Sequence, residues 1–155
     1  MSHSIRGGHV VSLSLLLILG LPLDVFAVGG GPSPAPVTPR SAEAEYNQGL
    51  QAKAANRYGE AIKSFRRAVN LRPSFPEAWN ELGFALRQTG QYAEALQAYD
   101  QALRLRPNFP EALEYMGEAY VKLGRLDDAR AILARLKSLD AGHARELEEV
   151  IQAAK

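Results

Sequence analysis

The sequence predicts an all-α fold: three helix-turn-helix units stacked in line and closed by one further helix. Three observations carry this. Arg72-Pro73-Ser74-Phe75-Pro76-Glu77-Ala78 recurs 34 residues later as Arg106-Pro107-Asn108-Phe109-Pro110-Glu111-Ala112, and a period of that length marks stacked supersecondary units. Asn56, Gly90 and Gly124 stand one period apart, each where a left-handed residue would end a helix. Alanine is confined to one part of the chain: 22 of 24 lie after Ser41, whereas five of nine prolines and six of thirteen glycines lie at or before Pro39. A Gly/Pro-rich start therefore precedes a remainder built of small helix formers.

The composition excludes several classes of protein. With no cysteine among 155 residues, a disulfide scaffold, a Cys-ligated zinc site, a thiol nucleophile and a lipid-modified N-terminal Cys are all ruled out. The balance of 18 basic against 17 acidic side chains argues against a nucleic-acid binder, whose basic excess is usually plain.

Residues 1–27 have the layout of a secretory signal peptide. Met1–His9 carries Arg6 and no acid, Val10–Leu21 is apolar apart from Ser12, Ser14 and Gly20, and Val25-Phe26-Ala27 offers a small-residue cut site after Ala27. Pro22 and Asp24 close the run short of the ~20 apolar residues a spanning helix needs; an uncleaved anchor is the alternative. Export to the periplasm or the medium follows from the cleaved reading, with no membrane association after cleavage. Residues 28–40, VGGGPSPAPVTPR, hold four Pro and three Gly in thirteen positions and read as a linker.

The helical part spans residues 41–155, in units 42–75, 76–109 and 110–143. Helices are expected near 42–55, 58–71, 76–89, 92–105, 110–123 and 126–139. Pro76 and Pro110 suit a first helical turn, where no amide donor is needed, and Pro73 and Pro107 end the helices before them. Trp79, Leu82, Gly83 and Leu86 share one helical face. Gly83 and Gly117 cost a helix about 1 kcal/mol each against alanine, which points to close helix–helix approach. The last helix, residues 143–154, has an apolar stripe of Ala144, Leu147, Val150, Ile151 and Ala154, with Arg145, Glu146, Glu148 and Glu149 off it. Such a helix covers the final repeat and turns a polar side to water. Glu45 and Gln48 stand where Trp79 and Leu82 stand one repeat later, as if the first helix were polar for lack of an earlier repeat.

These positions resemble the tetratricopeptide repeat, W-x2-L-G-x2-Y, then A-x3-F-x2-A, then P. The middle unit carries Trp79, Leu82, Gly83, Leu86, Ala95, Tyr99, Ala102 and Pro107 at the signature places. The first matches at Gly49, Ala61, Phe65, Ala68 and Pro73, and departs at Glu45, Gln48 and Ala52. The third matches at Gly117, Tyr120 and Ala129, with Leu113, Met116, Leu133 and Leu136 as apolar substitutes and Ala141 for the closing Pro. The resemblance covers residues 42–141. It implies a right-handed α-α superhelix whose first helices line a concave groove that binds protein segments.

By the same resemblance the groove positions are Glu43, Tyr46, Leu50 and Lys53; Glu77, Asn80, Phe84 and Arg87; and Glu111, Glu114, Glu118 and Val121. Tyr46, Leu50, Phe84 and Val121 are expected to form an apolar floor. The five Glu would form an acidic rim, with Lys53, Arg87 and Lys122 at the far edge. Glu43, Glu77 and Glu111 also have a simpler reason, the first-turn carboxylate that favours the helix dipole, and Glu118 can pair with Lys122. Family members that clamp acidic chaperone tails need Lys, Asn and basic residues where this chain has Tyr46, Leu50, Glu111 and Tyr115, so that clamp is absent.

No catalytic constellation appears. Of His3, His9 and His143, two fall in the signal, and one His builds neither a metal pair nor a Ser/His/Asp set; no phosphate-binding glycine motif occurs. The reading is an exported, non-enzymatic scaffold without cofactor that binds a protein or peptide segment, neutral or basic in preference. Two alternatives stand beside it: a structural subunit that self-associates into a homo-oligomer, and an accessory subunit of an exported complex.

Overall fold

A computed structural model of the chain describes residues 40–154; the expected signal and nearly all of the linker lie outside them. Seven helices follow one another among the described residues: α1 (Ala42–Ala54), α2 (Tyr58–Leu71), α3 (Pro76–Gln88), α4 (Tyr92–Leu105), α5 (Pro110–Lys122), α6 (Leu126–Lys137) and α7 (Ala141–Ala153). The expected helices are present, three of them one residue shorter and the sixth two shorter than anticipated. α7 starts two residues before the expected 143, because Asp140 caps it: its Oδ1 accepts from the amides of Gly142 and His143 at 2.9 and 3.0 Å. Ser41 caps α1 in the same way, accepting from the Ala44 amide at 3.1 Å.

The three tight turns share one geometry. Asn56, Gly90 and Gly124 have φ of 57°, 78° and 70°. The next amide in each case, of Arg57, Gln91 or Arg125, reaches back 2.9 Å to the carbonyl of Ala52, Leu86 or Tyr120. This satisfies carbonyls that the helix end leaves without donors, and it folds each helix back on its predecessor.

Packing follows from glycine opposite a large side chain. A Cβ on Gly83 would lie 2.5, 2.7 and 2.8 Å from ring carbons of Tyr99, and a Cβ on Gly49 would collide likewise with Phe65. Both rings are fully buried. The third repeat departs from this scheme. Leu133, smaller than Phe65 or Tyr99, takes their place, and Gly117 is approached instead by Leu147 of α7, whose Cδ2 would lie 2.5 Å from an added Cβ. The capping helix thus inserts into the third repeat. Ala144, Leu147 and Ile151 are buried, whereas Ala154, expected in the stripe, lies exposed past the helix end.

One expectation needs correction here. Glu45 is not a solvated end residue. It is 1% exposed, and it accepts from Arg67 Nε at 2.6 Å and Arg40 Nη1 at 3.1 Å. The open end of the stack is closed by charged side chains folded over one another, because Arg67 can reach from α2 to cover the carboxylate. Trp79, on the face shared with Leu82, Gly83 and Leu86, is half-buried; its Nε1–H donates to the Pro73 carbonyl at 2.8 Å, pinning the indole edge to the turn before α3.

Candidate functional site: an aromatic groove on the first helices

The backbones of α1 and α3, and of α3 and α5, approach closely, whereas those of α2, α4 and α6 stay apart, α2 and α4 meeting through the Arg66–Glu94 ion pair at 2.6 Å. The stack therefore curves with the first helices drawn together on its inner side, and it is there that the predicted groove residues fall. Tyr46, Leu50, Lys53, Phe84, Arg87, Glu118 and Val121 are half-buried. Asn80 and Glu114, at the same repeat position as Tyr46, are each 5% exposed. Asn80 lies in the wall of a cavity shared by α1, α3 and α5, and Glu114 lies beneath α7.

Phe84 is the centre of the floor. Its ring meets Tyr115 at 5.3 Å and Tyr58 at 6.2 Å between centroids. Lys53 Nζ stands 5.0 Å from it, and the Arg87 guanidinium lies 5.4 Å from it and 5.2 Å from Tyr115. Both cations are also paired with carboxylates, Lys53 with Glu81 at 2.6 Å and Arg87 with Glu118. Such cation–ring contacts are worth about 0.5–1 kcal/mol where exposed. Together with the ion pairs they fix side chains that would otherwise sweep the groove. Tyr46 belongs to a second aromatic cluster, 4.8 Å from Phe75 and 5.8 Å from Phe65.

The continuous acidic rim is not present in that form. Glu43 pairs with Arg72 at 2.5 Å, Glu77 with Arg106, and Glu118 with Arg87 instead of Lys122. Glu114 faces His143 Nε2 at 3.7 Å. Only Glu111 of the five has no ion pair among the described residues. The reason is periodic: Glu43–Arg72 and Glu77–Arg106 each span 29 residues, and in the third repeat the arginine's place is taken by Asp140. The first-turn role of these acids is visible too. The Glu43 carboxyl is held below its usual range, first by its own backbone amide and then by Arg72. For Glu77, burial acts upward, and its own amide together with Arg106 more than offsets it.

Three groove residues escaped the sequence reading as site members: Glu81, Tyr115 and Arg106. Glu81 and Tyr115 lie one residue beyond Asn80 and Glu114 and one period apart from each other, so moving the predicted face one residue round the helix would have found them. With Tyr46, Glu77, Asn80 and Glu111 they line a cavity of about 290 Å³. Burial, then Glu81 and Glu77, push the Tyr46 phenol up, and burial, then Glu114 and Glu81, do the same to Tyr115.

Beside the groove, burial and then the neighbouring Glu146 and Glu118 carboxylates push Glu114 up to about 7. His143 bonds Asp140 through Nδ1 at 3.0 Å and is pushed above its ordinary value: burial acts downward, and Asp140 and Glu114 more than compensate. This Asp–His–Glu row joins α5 to α7.

The sequence matches the tetratricopeptide repeat over residues 49–90 and 85–124, described as "TPR repeat", and over residues 111–142, described as "Tetratricopeptide repeat". The chain belongs to the tetratricopeptide-repeat family. Solved structures of the same fold include the TPR2B domain of yeast Sti1 in a complex with pHsp70, 20% identical with a TM-score of 0.69 over 73% of this chain and 94% of that one. The second TPR domain of human RPAP3 with the HSP70 peptide SGPTIEEVD is 22% identical with a TM-score of 0.68, over 72% and 94%. The Yersinia enterocolitica type III secretion chaperone SycD with a peptide of the translocator YopD is 19% identical with a TM-score of 0.67, over 72% and 90%. At these identities the likeness is one of fold. No curated protein sequence matches this chain.

Proposed function

We propose that this tetratricopeptide-repeat protein is an exported, non-enzymatic scaffold that binds a segment of a partner protein along the inner face of α1, α3 and α5, neutral or basic segments in preference. One observation carries the reading. Tyr46, Phe84 and Tyr115 stand half-buried on that face, with Phe84 and Tyr115 in ring contact and flanked by paired cations. Partly exposed aromatic anchors beside charged groups are what protein segments dock on. The human and Yersinia fold relatives hold peptides and the yeast one is in a complex with pHsp70, which adds support by analogy. Export rests on the signal-like residues 1–27, and the absence of enzymatic activity on the lack of a nucleophile–base pair in the sequence. The test is a pull-down from the native host with crosslinking and mass spectrometry. Tyr46→Ala with Phe84→Ala should release the partners; retention of every partner would refute groove binding.

Self-association is the second reading, and one observation favours it. Leu71, Leu105 and Leu139 occupy the same repeat position and are 54%, 43% and 37% exposed, a row of leucines along one edge. Light scattering decides: a concentration-dependent dimer, abolished by Leu71→Ser with Leu105→Ser, would establish it. A monomer at all concentrations would dismiss it.

A further inference from the structure

We propose that a second copy of this chain covers the leucine edge in antiparallel order, Leu71 against the partner's Leu139 and Leu105 against its own counterpart on the two-fold axis. The proposal rests on the self-association reading and gives it a geometry. Two independent observations carry it. The first is apolar. Leu71, Leu105 and Leu139 stand at one repeat position, 34 residues apart, and are 54%, 43% and 37% exposed. A two-fold axis through the middle of three evenly spaced positions brings the outer two together twice. Beside Leu71, the side chains of Arg40, Arg67 and Asn70 wall a hollow of about 480 Å³, which receives the partner's Leu139. The second observation is charge. Residues 40–75 hold seven basic and three acidic side chains, residues 76–109 three and four, and residues 110–155 seven and nine. The first repeat thus has a formal charge of +4, and the third repeat with α7 has −2.

The same polarity is present at the leucines themselves. Near Leu71, Arg40 and Arg67 share the single carboxylate of Glu45, at 3.1 and 2.6 Å, so one cation is in surplus. Beside Leu105, Arg106 and Glu77 cancel. After Leu139 the arginine's place is taken by Asp140. His143 answers that carboxylate at 3.0 Å, and Glu111 has no ion pair among the described residues, so one anion is in surplus. Antiparallel order sets each surplus cation toward the partner's Glu111. Parallel order sets like charge on like at both ends, which costs affinity. A foreign partner would have to reproduce both the leucine spacing and the reversed polarity; the chain's own edge, turned over, supplies both by symmetry.

The experiment uses the full chain, which has no cysteine, so that single thiols report the geometry. Leu71→Cys, Leu105→Cys and Leu139→Cys replace exposed side chains, and thermal melts establish that each variant folds. With a short bismaleimide, Leu105→Cys should crosslink to itself. Leu71→Cys and Leu139→Cys should each crosslink poorly alone and efficiently when the two proteins are mixed. Light scattering on the parent should show a dimer that weakens about tenfold between about 0.05 and 0.5 M NaCl, since exposed charges are screened by salt. Glu111→Lys, folded by its melt, should weaken it by a similar factor. Efficient crosslinking of Leu71→Cys to itself and of Leu139→Cys to itself would overturn the antiparallel order and leave self-association standing. So would a dimer in which none of the three thiols crosslinks, or one indifferent to both salt and Glu111→Lys. A chain monomeric at all concentrations fails the self-association reading and the arrangement with it.

Discussion

Replacing Gly83 by alanine tests the packing scheme directly. In an exposed helix the change would add about 1 kcal/mol of stability through propensity. Here the new Cβ would meet three ring carbons of Tyr99 at 2.5–2.8 Å. That ring is fully buried and lies 6.3 Å from Tyr115 between centroids, so it has little room to retreat. Overpacking of this kind costs about 1–3 kcal/mol. A rigid ring belongs near the upper end, leaving a net loss of about 2 kcal/mol. Gly59→Ala is the internal control, since an added Cβ there has nothing within 4 Å, and it should be neutral or stabilising. Gly117→Ala should fall between the two, because its obstacle is the branched tip of Leu147, which can rotate aside. Urea titrations followed by the fluorescence of Trp79, the single tryptophan, give the midpoints. Tyr99→Leu, which copies Leu133 of the third repeat, should make Gly83→Ala less costly than it is beside tyrosine, a coupling that a double-mutant cycle measures. If Gly83→Ala is as stable as the parent, or ranks with Gly59→Ala, close approach is not why glycine stands there.

Three other outcomes follow from the structure. Arg67→Met should destabilise more than Glu45→Met. The first leaves a carboxylate at 1% exposure with only Arg40 beside it, whereas the second leaves Arg67, at 41% exposure, free to hydrate; breaking a buried pair costs about 3–5 kcal/mol when the stranded charge cannot reach water, and equal midpoints in urea would contradict this. Glu114, with its folded pKa near 7, stabilises fully below about pH 4.5 and loses that contribution as pH rises to 7, an upper bound of about 3 kcal/mol; raised His143 acts in the same direction from about pH 6.5 upward. The melting temperature should therefore rise as pH falls from 8 towards 5 and decline below about 4, where Glu45, Glu77 and Asp140, all held low, take up protons. Glu114→Gln should flatten the upper limb, and a profile identical to the parent's would refute the assignment. Removing residues 142–155 takes away Leu147 and uncovers Gly117 and the α5–α6 surface, so the product should aggregate or melt well below the parent; an unchanged, monomeric melt would show that α7 is dispensable.

The backbone was readable because what fixes it is local and repeats every 34 residues. Proline at a first turn, a left-handed residue after each first helix and glycine opposite a bulky ring are each set by sterics within one or two units. The groove was less readable because its character depends on long side chains meeting across helices. Lys53 meets Glu81 across 28 residues and Arg87 meets Glu118 across 31, distances that helix periodicity within one element cannot supply. Reading Glu118 against Lys122 chose the nearest partner in sequence, and the structure chose the one across the groove. Glu45 differs for another reason: a polar residue at the open end of the stack implies solvation by its position alone, yet Arg67 on the neighbouring helix reaches over it.

The 29-residue Glu–Arg pairing shows how a repeat protein acquires a distinct end without departing from its fold. Repeats one and two neutralise their first-turn carboxylates with Arg72 and Arg106, which also lie over Phe75 and Phe109, 3.7 and 4.5 Å from the ring centroids. In repeat three the same place must serve the start of α7, and Asp140 serves it by capping that helix. The capping requirement thus removes the arginine, and Glu111 is left unpaired at the edge of a cavity already lined by Glu77 and Glu81. Local electrostatics follow from where the solenoid ends, because the residue that closes the stack is the one that would otherwise have neutralised Glu111.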